Sequence, residues 1–232
     1  MITFVAGALV ALGGTLAYAG SIDRAAEVDE PAHRSRTQLQ VAPTAPPPGE
    51  CRRVIVIGDS LMDNAEPWLI AELERGGYEF FVDAHHSRRI PAAIREPYSG
   101  VTTALTARAT FGDAECWVVG LGSNDLIFGG GESVEVSTQL IDEMLAALTP
   151  GAHVWWVNVN FHHDPRTGYD MEAATHRFNA ALAARDAALA DLTVLDWYTL
   201  SEANLQWFFD PVHVDRTGSI ARAKWTVAAL RP

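Results

Sequence analysis

The chain has 232 residues, of which 48% are hydrophobic and 20% are charged. This is an ordinary globular composition, and the length suits one well-buried domain better than two large ones. The formal net charge of −12 and the absence of a Lys/Arg cluster disfavour a nucleic-acid partner, because phosphate binding requires a basic surface.

Residues 1–19 are predicted to be a signal peptide or a membrane anchor. No charged residue occurs from position 2 to position 20, and Ala17-Tyr18-Ala19 offers the small-x-small pattern that signal peptidases accept. The apolar stretch is also just long enough to span a bilayer of roughly 30 Å. Cleavage after Ala19 and retention as an anchor therefore both stay open, and either one predicts that the rest of the chain is exported.

Residues 20–50 are predicted to be a proline-rich, disordered linker. They lack hydrophobic periodicity and end in the stretch Val41-Ala-Pro-Thr-Ala-Pro-Pro-Pro-Gly49. Such a composition favours extended polyproline geometry and cannot build a core. We expect it to connect the export segment to one folded domain over residues 51–232.

From Arg52 onward, short apolar runs alternate with segments of helical spacing. The predicted strands are Val54–Ile57, Tyr78–Val82, Cys116–Leu121, Val154–Asn158 and Leu192–Leu195. The predicted helices are Asp63–Arg75, Val134–Leu148, Met171–Leu189 and Gly218–Leu230. The alternation predicts an α/β fold, a three-layer α/β/α flavodoxin-like domain with a five-stranded parallel sheet. In such folds, ligands bind beyond the carboxyl ends of the strands.

A serine follows the first predicted strand directly, in the segment Gly58-Asp59-Ser60-Leu61. At a strand-to-helix turn its hydroxyl is exposed at the sheet edge, near the positive end of the helix dipole, where it can act as a nucleophile. Asp and Ser before a helix also form an ordinary N-cap pair. This segment alone therefore leaves both interpretations open.

A second polar segment, Gly120-Leu-Gly122-Ser-Asn124-Asp125, follows the third predicted strand. Acyl transfer needs hydrogen-bond donors aimed at the developing oxyanion, and the side-chain amide of Asn124 is a suitable donor. A polar turn that closes a strand has a similar composition. The segment is therefore a candidate oxyanion site or a simple turn.

A third segment, Asp210-Pro-Val-His213-Val-Asp215, precedes the last predicted helix. A histidine that acts as general base needs an acidic partner on one ring nitrogen, so that the other nitrogen can take a proton. Asp210 can reach the ring of His213 from three residues earlier in the same loop. The competing interpretation is a solvated histidine in a surface loop, with Asp215 as the N-cap of the helix.

Together and in this order, the three segments resemble the motifs of the SGNH (GDSL) hydrolase family, from about Arg52 to the C-terminus. The resemblance implies that Ser60 is the nucleophile and that His213 and Asp210 complete a catalytic triad. It also implies that Asn124 and the backbone N–H of Ser60 donate to the oxyanion. The implied activity is carboxylic ester hydrolysis, for which we expect no cofactor.

The family takes a third oxyanion donor from the backbone N–H of a glycine in the loop after the second strand. Here this loop reads Asp83-Ala-His-His-Ser87-Arg88, and Ser87 stands where the glycine is expected. Serine can still supply the N–H if its dihedral angles permit it. Gly100 is the alternative donor.

The pattern Asp-Ala-x-x-(Gly/Ser)-Arg in the same loop resembles a branch of the family that contains extracytoplasmic cell-envelope O-acetyltransferases and related esterases. This branch implies a small-molecule or glycan ester as substrate, with acetyl or another small acyl group. An O-acyltransferase that uses the same serine and a binding module without turnover stay open as alternatives, because fold alone does not give substrate.

Cys51 and Cys116 are the only cysteines, at the starts of the first and third strands. These strands are neighbours in the flavodoxin-like order, and the starts of adjacent parallel strands lie close enough for a bridge. In an exported chain, a disulfide is favoured over two buried free thiols.

Two histidine-rich segments, His85-His86 and His162-His163-Asp164, also follow predicted strands. Adjacent histidines in an extended segment point apart and rarely bind one ion together. We therefore predict substrate contacts or plain loop polarity for these residues, and no metal site.

Overall fold

The computed structural model describes residues 38–40, 51–162 and 171–231. The predicted export segment over residues 1–19 lies outside these described residues, as does the predicted linker apart from residues 38–40. Within the described ranges, no helix is both long enough and apolar enough to cross a bilayer.

A six-stranded sheet forms the middle layer of the domain. Its strands are β1 (Gln38–Gln40), β2 (Arg53–Gly58), β3 (Glu79–Ala84), β4 (Cys116–Gly120), β5 (His153–Val157) and β6 (Leu192–Leu195). The spatial order is β1-β3-β2-β4-β5-β6. Strands β2 to β6 run parallel to one another, which confirms the predicted five-stranded parallel sheet. The edge strand β1 pairs antiparallel with β3 and was not predicted, because an alternation over only three residues does not stand out in a segment that otherwise has the composition of a linker.

Helices connect the strands. They are α1 (Ser60–Gly76), α2 (Gly100–Phe111), α3 (Ser123–Ile127), α4 (Val134–Ala147), α5 (Met171–Ala188), α6 (Trp197–Glu202) and α7 (Arg216–Ala228). The helices α1, α4, α5 and α7 correspond to the predicted helices. The short helices α3 and α6 have too few residues to show a period, and α2 is rich in threonine, which has a low helix propensity.

Two apolar cores lie on opposite faces of the sheet, because successive side chains of a strand point to opposite faces. Val54 and Val56 of β2 belong to the core beneath α1 and α7. Ile55 and Ile57 belong to the core beneath α2, α4 and α5. The chain therefore has the predicted three-layer α/β/α architecture, with the sheet buried on both faces.

The register of the central strands decides where the polar motifs emerge. Gly58 at the end of β2 pairs with Gly120 at the end of β4 and with Ala84 at the end of β3. The three segments that follow these strands therefore leave the sheet side by side at its carboxyl edge. This edge is where the sequence predicts ligand binding.

The predicted disulfide between Cys51 and Cys116 is present, with the two Cα atoms 5.6 Å apart. Both cysteines are buried, and they lie at the amino ends of β2 and β4. The bridge is thus at the end of the sheet opposite to the carboxyl edge.

Removing the bridge should lower stability and leave the carboxyl edge intact. The two cysteines are 65 residues apart, and closing a loop of this length contributes up to about 4 kcal/mol by the chain-entropy estimate. We expect the Cys51→Ser/Cys116→Ser variant to unfold at a lower urea concentration, as measured by circular dichroism. Reduction should add the mass of two hydrogens to the wild type and nothing to the variant. Equal urea midpoints for the two proteins would contradict this expectation.

Candidate active site

Ser60 owes its position to the tight turn between β2 and α1. Asp59 is the N-cap of α1, and its carboxylate accepts the N–H of Leu61 at 3.0 Å. The backbone N–H of Asp59 donates to the carbonyl of Gly120 at 3.0 Å, which joins the turn to the end of β4. Since Asp59 performs the capping, the hydroxyl of Ser60 is left for another partner. The N-cap interpretation of this segment is therefore correct for Asp59 and does not conflict with a nucleophilic serine.

That partner is His213, which lies 153 residues later in the chain. The hydroxyl Oγ of Ser60 is 2.9 Å from Nε2 of His213. On the other side of the ring, Nδ1 is 2.7 Å from Oδ2 of Asp210. In the tautomer whose Nδ1–H donates to the carboxylate, Nε2 accepts the proton of the Ser60 hydroxyl. The structure thus brings together the three residues that the sequence predicts for a triad.

The carboxylate of Asp210 is held by the backbone of its own loop. Its Oδ1 accepts the N–H of Val212 at 2.8 Å and the N–H of His213 at 2.7 Å. Partial burial raises the pKa of Asp210, but these two N–H groups and the His213 ring outweigh burial and hold the pKa below its ordinary value. The group is therefore ionised at neutral pH and can orient the imidazole and stabilise its protonated form.

The loop that carries His213 ends at a regular helix cap. Asp215 is the N-cap of α7 and accepts the N–H of Gly218 at 2.9 Å. The backbone N–H of Phe209 donates to the carbonyl of His213 at 3.2 Å. The predicted role of Asp215 as a cap is thus present, while the ring of His213 turns toward Ser60.

The candidate oxyanion donors surround the same edge. Asn124 lies in α3, and its Nδ2 donates one hydrogen bond to the carbonyl of Arg88 at 3.2 Å. Among the described residues, Ser87 is the one non-glycine residue with a positive φ, at 61°. Glycine adopts this conformation without steric cost, which explains why the resemblance implies a glycine at this place. Ser87 is exposed, so its N–H can face a ligand.

Gly100 is a poorer candidate for the third donor. Its backbone N–H donates to the carbonyl of Arg89 at 2.7 Å. The residue is buried, and a Cβ at this position would overlap the side chain of Leu121. The N–H is therefore already used in the fold, and the geometry favours Ser87.

Asp125, which follows Asn124, is buried and fixes the loop after β3. Its two carboxylate oxygens accept the N–H of Ile90 at 3.1 and 3.2 Å. Burial raises the pKa of Asp125 to about 7, although the Ile90 N–H and the nearby Arg89 favour the charged form. Asp125 belongs to the same motif as Asn124, but the sequence alone predicted no role for it. Its position next to Asn124, a candidate oxyanion donor, was the one feature of the sequence that pointed to a role near the site.

Arg222 is a second buried charge that sequence reasoning missed. Its guanidinium carbon lies 4.7 Å from the centroid of the Trp197 ring. Burial lowers the pKa of Arg222 to about 10, and the carboxylate of Asp59 acts in the opposite direction. In the same way, burial raises the pKa of Asp59 while Arg222 opposes it. The turn that carries Ser60 therefore has a buried positive charge on one side. In the sequence, the helical spacing puts Arg222 on the same face of α7 as Ala223 and Val227, and this position was the indication that the arginine is buried.

The histidine-rich segments take part in local contacts. The rings of His85 and His86 stack with centroids 4.2 Å apart. His162 donates its backbone N–H to the carbonyl of Pro211 at 2.9 Å, and its Nε2 lies 3.4 Å from Glu202. The neighbouring residues 163 and 164 lie outside the described residues. In the described part of the chain, no group of three or more His, Cys, Asp or Glu side chains is arranged to hold a metal ion.

The fold is similar to that of several solved hydrolases and of a solved O-acetyltransferase domain. The C-terminal catalytic domain of peptidoglycan O-acetyltransferase A from Streptococcus pneumoniae matches with a TM-score of 0.58 and 18% identity, over 78% of this chain and 92% of that chain. A member of the lipolytic G-D-S-L family from Veillonella parvula matches with a TM-score of 0.58 and 15% identity, over 77% and 96% of the two chains. A carbohydrate acetylesterase family member from Sinorhizobium meliloti matches with a TM-score of 0.56 and 13% identity, over 77% and 97%.

By sequence, no protein-family model and no curated protein matches the chain. The likeness to these structures therefore concerns the fold, and it extends over nearly the full length of each of them. It confirms that the chain shares the fold of these structures, in keeping with the three-layer α/β/α architecture that the sequence predicts.

Asp125→Asn is expected to raise the free energy of unfolding at pH 8 by up to about 4 kcal/mol. The pKa of Asp125 rises from 3.8 to about 7 on folding. The stability that the buried neutral carboxyl contributes is therefore complete below pH 3.8 and is lost as the pH rises through 7. Asparagine keeps an acceptor for the Ile90 N–H and never ionises.

Urea unfolding at pH 4, 6 and 8 measures this effect, and the exposed Asp191→Asn is the matched control. The difference between Asp125→Asn and the wild type should grow from pH 4 to pH 8, while the control should show no such growth. A difference that is independent of pH would contradict the assignment of a buried, neutral Asp125.

Proposed function

We propose that the chain is an exported serine ester hydrolase that removes small acyl groups, acetyl above all, from saccharide or cell-envelope esters. The observation that carries this proposal is the 2.9 Å contact between Ser60 Oγ and His213 Nε2, with Asp210 on the other ring nitrogen. A serine hydroxyl that is hydrogen-bonded to an imidazole, itself oriented by a carboxylate, is activated for attack on an ester carbonyl.

In the proposed first half-reaction, His213 takes the proton of Ser60 as the hydroxyl oxygen attacks the ester carbonyl. The negative charge on the carbonyl oxygen is stabilised by the Asn124 amide and by the backbone N–H groups of Ser60 and Ser87. The protonated His213 then gives its proton to the leaving alcohol, and the acyl group stays on Ser60.

In the proposed second half-reaction, water replaces the alcohol. His213 removes a proton from water, which attacks the acyl group, and the carboxylic acid leaves as Ser60 regains its proton. Asp210 stays ionised in both halves and stabilises the imidazolium each time it forms.

The substrate class is supported by the structural neighbours and by one exposed ring. One neighbour is described as a peptidoglycan O-acetyltransferase and another as a carbohydrate acetylesterase family member. Phe209 is 68% exposed, and its ring stacks on that of His213 with centroids 6.0 Å apart. This ring offers an exposed apolar surface beside the imidazole of His213, where an alkyl group or a sugar face can pack.

The proposed location is outside the cytoplasm. The buried Cys51–Cys116 disulfide supports it, because such bridges persist in oxidising compartments. The predicted export segment over residues 1–19 supports it as well. Mass spectrometry of the mature N-terminus distinguishes cleavage after Ala19 from retention as an anchor.

A second candidate function is O-acyl transfer to a sugar hydroxyl. It is favoured by the likeness to the O-acetyltransferase domain, at a TM-score of 0.58. The acyl-enzyme on Ser60 is the same, and only the acceptor of the second half-reaction differs. Product analysis with an acetyl donor and a saccharide acceptor separates the two, because hydrolysis yields free acetate and transfer yields an acetylated saccharide.

Ser60→Ala should lower the turnover of a chromogenic acetyl ester on the order of 10⁴-fold or more. It should also abolish covalent labelling by a fluorophosphonate, which reacts with activated serines. Ser133→Ala is the matched control, since the hydroxyl of Ser133 caps α4 by accepting the N–H of Val136. Esterase activity that survives in Ser60→Ala would overturn the assignment of the nucleophile, and a wild type without labelling would favour a binding module.

Asp210→Asn should lower kcat by about 10²- to 10⁴-fold. Its Oδ1 would keep the N–H groups of Val212 and His213, so its amide N–H group would face Nδ1 of the ring. The imidazole would then carry its proton on Nε2 and could no longer accept one from Ser60. Steady-state kinetics measures the loss. The control Asp215→Asn, which keeps the cap of α7, should remain within about twofold of the wild type, and an equal loss in both variants would point to a loop defect.

A further inference from the structure

We propose that Arg88 is a positioning residue that holds the backbone N–H of Ser87 in place for the oxyanion. This inference rests on the proposed function and deepens it, because it names a group that acts on the site through its neighbours. Arg88 itself does not face the substrate, since its side chain is 1% exposed.

The guanidinium of Arg88 joins three segments around the carboxyl edge. It donates to the carboxylate Oδ1 of Asp83 at 2.8 Å and to the carbonyl of Asp83 at 2.6 Å, at the end of β3. It also donates to the carbonyl of Gly58 at 3.3 Å, at the end of β2, and to the carbonyl of Pro97 at 2.9 Å, before α2. Gly58 lies two residues before Ser60. The loop of Ser87 is therefore tied directly to the strand that carries the nucleophile.

The backbone of Arg88 is fixed as well. Its N–H donates to the carbonyl of His85 at 3.2 Å, and its carbonyl accepts the side-chain amide of Asn124 at 3.2 Å. Arg88 thus connects Ser87 on one side with Asn124 on the other. Two of the three candidate oxyanion donors have their relative position set by this one residue.

Ser87 needs such support because of its conformation. Its φ is 61°, and the left-handed region is sterically unfavourable for a residue with a Cβ. An exposed serine in a free loop would leave this region and turn its N–H away. The neighbouring arginine, immobilised by its side chain and by both of its backbone groups, prevents that change.

Arginine suits this role better than lysine. The planar guanidinium can donate in several fixed directions at once, whereas an ammonium group is a compact charge with weaker directional preference. At Arg88 the acceptors lie on three different segments, so a lysine can satisfy only part of them. Arg88→Lys therefore keeps the charge opposite Asp83 and loosens the geometry.

The test compares Arg88→Lys, Ser87→Gly and the double variant, with kcat and KM for a chromogenic acetyl ester and urea unfolding as readouts. Arg88→Lys should lower kcat about 10- to 100-fold with KM within about twofold, because a displaced donor weakens oxyanion stabilisation. Ser87→Gly alone is measured as the reference for the double variant, so that the effect of the glycine itself is separated from recovery of the Arg88→Lys loss. The double variant should regain most of the lost kcat, because glycine adopts a positive φ without support from its neighbour.

Arg53→Lys is the matched control. Arg53 also pairs with a carboxylate, Glu79 at 3.2 Å, and donates to the backbone carbonyls of Asp113 and Phe111, but at the amino end of the sheet. Its replacement should lower the urea midpoint and leave kcat within about twofold. A purely structural role for Arg88 predicts the same behaviour for Arg88→Lys, with no recovery by Ser87→Gly.

The proposal is overturned if Arg88→Lys keeps the wild-type kcat or if Ser87→Gly restores nothing. If Arg88→Lys does not fold, Asp83→Asn replaces it, since this variant weakens the same contact from the other side. Asp83→Asn should also lower kcat, and adding Ser87→Gly should again recover the loss. Failure of the proposed function looks different, because in that case the wild type neither hydrolyses an ester nor reacts with a fluorophosphonate.

Discussion

The hydrogen bond between Ser60 and His213 depends on how two helices and two strands are arranged. Ser60 begins α1 and His213 directly precedes α7, and these two helices pack along each other on the same face of the sheet. The turn before α1 is fixed to β4 by the contact between Asp59 N–H and the carbonyl of Gly120. The pairing of β2 with β4 therefore fixes the turn that carries Ser60, and the packing of α1 against α7 brings the loop of His213 to it.

Ionisable groups buried around this turn define its electrostatics. Asp59 and Arg222 lie on the side of α7, while Arg88 and Asp125 lie on the side of the loop after β3. Charges in the interior cost free energy unless they are paired or hydrogen-bonded. Each of these groups has an opposite charge or backbone N–H groups near it. The hydrogen bonds of Arg88 to Asp83 and of Ile90 to Asp125 are lost if the backbone shifts, so they oppose movement of the loop after β3.

Much of the fold could be predicted from sequence, because its main elements carry strong local patterns. The apolar run of β2 and the regular alternation of strands and helices predicted the parallel sheet. Helix α2 was missed because its threonines favour other structures locally, and tertiary packing overrides that preference. Strand β1 was missed because an edge strand of three residues carries no pattern that distinguishes it from a linker.

The candidate site was predictable to a similar extent and for a similar reason. Ser60, Asn124, Asp210 and His213 stand in short motifs whose chemistry can be read from residue types. The conformation of Ser87 and the buried positions of several charges depend on neighbours from distant segments. An arginine in a loop is ordinarily exposed, so nothing local indicated that Arg88 is enclosed by three segments.

The disulfide also determines how the domain responds to mechanical load. Cys51 is the residue at which the chain enters the parallel sheet, and its bridge leads straight to β4 in the middle of that sheet. A pulling force applied on the N-terminal side of Cys51 would therefore be shared by β2 and β4. Separating the amino end of β2 from β4 would first require the covalent bond to break, so the bridge opposes transfer of such a force to the strand that precedes Ser60.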